Sequence, residues 1–302
     1  MDAVRAAGSA VLTVLLVTLA VFVLLRVLPG DPVDALLGEQ ASPADRAALA
    51  RALGTDRPLG AQLGAYYAGL ARGDLGRSLH LDRPVTALIA ARLPASAALA
   101  GAALLIALTL GVSLGTAAAL RAGGVLDGAV GAFSACVIAL AGFVLGPLLT
   151  LTLAVRAGWL TLGAQDAGGL VLPALTLGLG MAGVHARIAR ASVLDARAAP
   201  HVRTARAKGL PPARVVGAHV LRCALGPVIT LTGLELGALL GGAVLTEAVF
   251  GWPGLGALLA EAIARRDYPL LQGCVLFIAV AYVLSGALAD ALSAWLDPRG
   301  RP

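Results

Sequence analysis

Six apolar windows limit what this chain can fold into: Ala6–Leu25, Leu93–Leu120, Gly128–Val155, Ala167–Ala186, Cys223–Thr246 and Tyr268–Ala289. None carries Asp, Glu, Lys or Arg, except that Cys223–Thr246 holds one acid, Glu235. A helix satisfies its own backbone N–H and C=O groups, so about 20 apolar residues suffice to cross hydrocarbon. The second and third windows hold 28 residues each, which leaves room for tilt or interfacial ends. Charged residues make up 13% of the chain, against about 25% in soluble domains, and the mean hydropathy is +0.88. The expected fold class is all-α, a polytopic membrane protein with six transmembrane helices. The first window lacks a convincing small-residue cleavage site and a further helix-forming region follows it, so it reads as an anchor helix rather than a signal peptide.

Charge placement orients the bundle. Between Arg187 and Arg222 lie eight basic residues (Arg187, Arg190, Arg197, Arg203, Arg206, Lys208, Arg214, Arg222) against one acid, Asp195, for which ion pairing is the simplest role. Basic loops stay in the cytoplasm. With the N-terminus inside, Arg5, Arg121, this segment, Arg299 and Arg301 are cytoplasmic, and the short outer loops carry only Arg156, Arg265 and Arg266. The sequence divides into an anchor helix (1–28), an extracytoplasmic segment (29–92), a five-helix core (93–296) containing the basic segment 187–222, and a tail (297–302), with both termini cytoplasmic. The pI of 9.9 does not indicate nucleic-acid binding, because the excess positive charge sits in one inter-helix segment. Arginine outnumbers lysine twenty-two to one, which reads as codon bias. Cys136, Cys223 and Cys274 lack paired spacing and read as small buried hydrophobes.

Local signals add short helices. Ser42-Pro43-Ala44-Asp45 reads as an N-cap, an N1 proline and an acidic first turn, with Gly54 as the C-cap. A second helix covers Leu59–Leu70, with Tyr66 and Tyr67 at the interface; it is either a lid over the outer end of the bundle or a contact for an external partner. In the basic segment, a helix ends near Gly209, and Pro211-Pro212 cannot continue it but can open the next. Two short helices so joined form a rigid knob, either a partner's docking point or a site for anionic lipid. Lys208 is the only lysine, and Ala207 and Gly209 flank it, so the chain has no Walker A loop and performs no ATP hydrolysis of its own.

Glu235, midway along the fifth window, is a pathway candidate, with a helix–helix hydrogen bond as the alternative. His80, His185, His201 and His219 lack metal-ligand spacing, so neither metal nor cofactor is expected. Gly237, Gly241 and Gly242 with Ala238 allow close helix packing, either within the chain or at a dimer seam. Trp252 and Tyr268 fit an aromatic belt or an external contact.

The segment from His201 to Leu210 resembles the "EAA" loop of ABC-importer permeases, in the version of the dipeptide/oligopeptide/nickel family's B-type subunit. Similar to that family's signatures, and in its order, are Leu28-Pro-Gly-Asp-Pro32, Gly73-Asp-Leu-Gly-Arg-Ser78, Arg92-Leu-Pro-Ala-Ser96, Phe250-Gly-Trp-Pro-Gly-Leu-Gly256, Arg266-Asp-Tyr-Pro269 and Asp297-Pro-Arg299. The chain departs from the general motif at Thr204, where a Glu is usual, and at Leu221-Arg222, where Leu-Pro is usual. The resemblance implies the ABC-importer permease fold in a bacterial inner membrane. It implies an ATPase-coupling site of His201, Arg203, Thr204, Ala205, Arg206, Ala207, Lys208, Gly209 and Leu210. It also implies a homologous C-type permease as heterodimer partner, two ATP-binding subunits and an extracytoplasmic substrate-binding protein, all set in the lipid bilayer. Di- and oligopeptides are the expected substrates, with nickel chelates as the alternative. A stand-alone secondary transporter built on Glu235 is the reading from another class, and it lacks internal repeats and a second mid-membrane ionisable residue.

Overall fold

A computed structural model describes residues 2–27, 37, 42–140, 142–158 and 167–296. The Leu28–Pro32 and Asp297–Arg299 signatures and the tail lie outside these residues. The chain runs α1 (Asp2–Val27), α2 (Pro43–Leu53), α3 (Leu59–Ala71), α4 (Val85–Leu120), α5 (Val125–Ala139) and α6 (Gly142–Leu149), the last prolonged by a π-helical stretch, Thr150–Arg156. Then follow α7 (Ala167–Ala198), α8 (Pro200–Ala207), α9 (Pro212–Leu240, π-helical over Val215–Leu221), α10 (Val244–Phe250), α11 (Leu255–Ala264) and α12 (Tyr268–Leu296).

Among the described residues, five helices are long and apolar enough to cross a membrane: α1, α4, α7, α9 and α12. The third window yields a sixth crossing only as a broken pair. Leu140 leaves the helical region with ψ 101, and the axis turns by 110° between α5 and the helix beyond. Charge-free windows marked the hydrocarbon-embedded part of each helix and missed its wet ends. Helix α4 starts at Val85, so the boundary set at residues 92 and 93 falls inside it. Helix α7 runs on to Ala198 and carries Arg187, Arg190 and Arg197, which were assigned to a loop.

Small residues bring the helices together. An added Cβ at Gly111 would strike His185 and Ala182, and one at Gly115 would strike Ala186 and Ala189, so α4 and α7 touch backbone to backbone. Helix α9 meets α12 in the same way, with Gly233 on Ala289 and Gly237 on Tyr282 and Ser285. Gly241 faces Ile278 and Gly242 faces Gly256, so these glycines pack within the chain and not at a dimer seam. Close approach maximises dispersion contact where lipid offers no hydrophobic drive.

The short helix α2 caps as the sequence predicts. Asp45 N donates to Ser42 Oγ (3.2 Å), and Gly54 adopts φ 70. Helix α3 is not a lid over the bundle end. It lies along α1, where Tyr67 pairs with Thr18 (3.2 Å), Tyr66 meets Phe22 at a ring separation of 5.9 Å, and Arg26 Nε donates to Gln62 Oε1 (3.0 Å).

Candidate functional site

The knob consists of α8, its turn and the start of α9. Val202 and Ala205 stand three residues apart and are buried against Ala119, Val193, Ala196, Val215, Val220 and Ala224. The opposite face presents Arg203, Thr204, Arg206, Ala207, Lys208 and Gly209 to solvent, with His201 and Leu210 half-buried at its edges. Ala205, one of the nine predicted coupling residues, therefore anchors the knob from inside and offers nothing to a partner. Lys208 closes the helix and Gly209 adopts φ 76, with its N–H on Arg206 O (2.9 Å). Pro211 and Pro212 then start α9.

Two arginines tie the knob end of the bundle to its neighbours. Arg190 grips Asp127 at the start of α5 with two hydrogen bonds (2.5 and 2.7 Å). Arg197 Nη1 donates to Ala119 O (2.5 Å) in the last turn of α4, where a cation suits the negative end of the helix dipole. The acid that pairs with the basic segment is therefore Asp127. Asp195 is exposed and forms no salt bridge among the described residues. Sequence spacing could not show this, because the two partners lie 63 positions apart.

Glu235 lies in α9 as expected but is not a lone ionisable group. His185, near the end of the fourth apolar window, is fully buried in the bundle. Its Nδ1 donates to Met181 O (3.1 Å) and stands 3.5 Å from Glu235 Oε2, and its Nε2 faces Thr232 Oγ1 (3.2 Å). Gly111 makes room for the ring. Oε2 of Glu235 has no hydrogen-bond partner among the described residues, and the side chain keeps 20% exposure.

Sequence reasoning missed two buried acids on the other side of the bundle. Glu247 Oε2 accepts from Ala257 N (2.7 Å) in the first turn of α11, and Oε1 accepts from Ser96 Oγ (3.4 Å). Ser96 in turn accepts from Leu255 N (2.7 Å), and Trp252 Nε1 donates to Ala95 O (3.0 Å). Trp252 is thus a buried clamp, neither belt nor external contact. Asp267 accepts from Ser78 Oγ (2.5 Å) and from Leu270 N (3.2 Å) at the start of α12. The quoted signatures therefore meet in pairs, Arg92–Ser96 with Phe250–Gly256 and Gly73–Ser78 with Arg266–Pro269, and each pair encloses a carboxylate. Glu247 was legible only as the acid just before Phe250–Gly256. Among the described residues no three His, Cys, Asp or Glu side chains converge on a metal-sized site.

Residues 111–302 match the family model described as the binding-protein-dependent transport system inner membrane component, and residues 3–100 match the N-terminal model of the same systems. The chain belongs to this family. It is the membrane-spanning permease subunit of an ABC importer, a class of transporter whose ATPase is a separate subunit, and it is a multi-pass protein of the bacterial inner membrane. Similar permeases include the di/tripeptide transport system permease protein DppB of Pseudomonas aeruginosa, 38% identical over 98% of this chain and 97% of its own. The glutathione transport system permease protein GsiC is 38% identical in Salmonella choleraesuis (95% of this chain, 94% of its own) and 37% identical in Escherichia coli K12 with the same coverage. The fold resembles a chain of the inward-facing MetNI methionine ABC transporter, with TM-score 0.59 and 17% identity over 70% of this chain and 96% of that one. Family membership displaces the stand-alone secondary transporter, although His185 does supply a second ionisable group at the depth of Glu235.

Proposed function

We propose that this permease imports short peptides, pairing with a homologous C-type permease, two ATP-binding subunits and an extracytoplasmic binding protein. Relatives named for di/tripeptides and for glutathione, itself a small peptide, support that substrate class. Both termini and the knob are cytoplasmic in this reading, which rests on the basic charge of the knob side. The observation that carries the mechanism is the anchoring of α8. Its outer face is open and basic, and its inner face is locked by Val202 and Ala205 onto residues of α4, α7 and α9. A push on Arg203, Thr204, Arg206 or Lys208 therefore reaches three spanning helices as one body. Nucleotide-driven closure of the ATPases would bias the bundle between its two faces by that route. Glu235, backed by His185, lines the pathway between the two permeases.

The test is Gly209→Val. Gly209 has φ 76 and nothing within 4 Å of an added Cβ, so the substitution strains the backbone without a clash. The cost is about 1 kcal/mol or more, enough to tilt the knob while leaving the bundle intact. Reconstituted complexes carrying it should retain folded permease but lose co-purifying ATPase subunits or peptide-stimulated ATP hydrolysis. Wild-type coupling would remove the knob from the mechanism.

A further inference from the structure

A cavity of about 260 Å³ opens on the side opposite the knob, where the end of α1 and the start of α12 meet the external helices. Its lining includes Arg26, Arg57, Tyr66, Tyr268 and Gln272. Among the described residues that line it there is no carboxylate, and two arginines, Arg26 and Arg57, border the one space. That arrangement is built. Gln62 Oε1 accepts from Arg26 Nε (3.0 Å), and its Nε2 donates to Thr55 O (3.2 Å) and Arg57 O (2.9 Å), so one amide holds both cationic segments together. Gln272 supplies the independent sign of a ligand. It is nine-tenths buried, and its Nε2 donor has no partner among the described residues. A buried donor left unmatched costs more than a typical hydrogen bond contributes, so a site that keeps one is suited to an acceptor that comes from elsewhere.

We propose that this cavity binds the phosphate group of an anionic phospholipid in the outer leaflet. An oxyanion matches the Gln272 amide and the two guanidiniums, whose forked donors suit phosphate. The cavity's position favours a lipid over a soluble solute. Arg26 ends one span and Tyr268 begins another, so the site lies at headgroup level. Below it α1 exposes Leu12, Leu15, Leu16, Leu19, Val23 and Leu24, a surface for acyl chains. Only the choice of leaflet rests on the orientation proposed above.

The assembled complex, delipidated in detergent, can be titrated with phosphatidylglycerol or phosphatidylcholine and read by native mass spectrometry, with inorganic phosphate as competitor. Phosphatidylglycerol should be retained preferentially. Arg57→Gln, an exposed change, should weaken retention about threefold, and Gln272→Leu, which removes the unmatched donor and keeps the volume, roughly tenfold. Both variants should melt at or above the wild-type temperature. Displacement of the lipid by millimolar phosphate would make the free oxyanion the occupant. Equal retention of the two lipids, or wild-type retention by both variants, would overturn the site. The readout sees both leaflets, so it stands or falls independently of topology and of peptide transport.

Discussion

Glu235 and His185 show how one contact changes the meaning of a residue. In sequence Glu235 is a single acid in an apolar span; in the structure it faces a histidine held by Met181 and Thr232. An ABC importer draws its driving force from ATP, so the role proposed for the pair is to tune the pathway, not to couple it to protons. Glu235→Gln preserves shape and hydrogen bonding, so expression and ATP-dependent uptake should survive at a reduced rate. Proteoliposomes given a proton gradient without ATP should take up nothing. Gradient-driven uptake that Glu235→Gln abolishes would return the chain to the ion-coupled class.

At the scale of elements, carboxylates hold together the end of the bundle opposite the knob. Glu247 brackets α11 from the preceding short helix, and Gly254 and Gly256 exist where a Cβ would collide with its carboxylate. Glu247→Ala leaves the Ala257 N–H and the Ser96 hydroxyl facing an apolar gap. Each stranded donor costs about 1–3 kcal/mol, so the variant should show a lowered unfolding midpoint in detergent while the knob, at the other end, keeps its proposed coupling to the ATPase. An unchanged midpoint would mean that water replaces the carboxylate. The short helices α2, α3 and α8 were legible because their signals are local: Ser42 and Pro43 at a start, Gly54 and Gly209 at φ > 0 ends. The break at Leu140 was not, because the window Gly128–Val155 reads as one uninterrupted apolar run.

For the whole molecule, orientation is the testable property. Single cysteines in a variant lacking Cys136, Cys223 and Cys274 can be probed with a membrane-impermeant thiol reagent on intact cells. Position 266 should label from outside, and position 206 only after the membrane is opened. External labelling at 206 would invert the topology and remove the knob from the ATPase side.

Sequence by itself determined the all-α membrane class, the apolar centres of five spans, the caps of the short helices and the family. These depend on apolar run length, on turn chemistry within a few residues and on motif order, all local along the chain. Only the tertiary structure decided which residues the sites share. Arg190 found Asp127 rather than nearby Asp195, His185 found Glu235, and Ser78 found Asp267 across 189 positions. Backbone-to-backbone packing at Gly111 and Gly115 seats α4 on α7, and at Gly233 and Gly237 seats α9 on α12, because helix contact in lipid is governed by side-chain size at the crossing point. Nothing in the one-dimensional order of residues says which glycine will meet which helix.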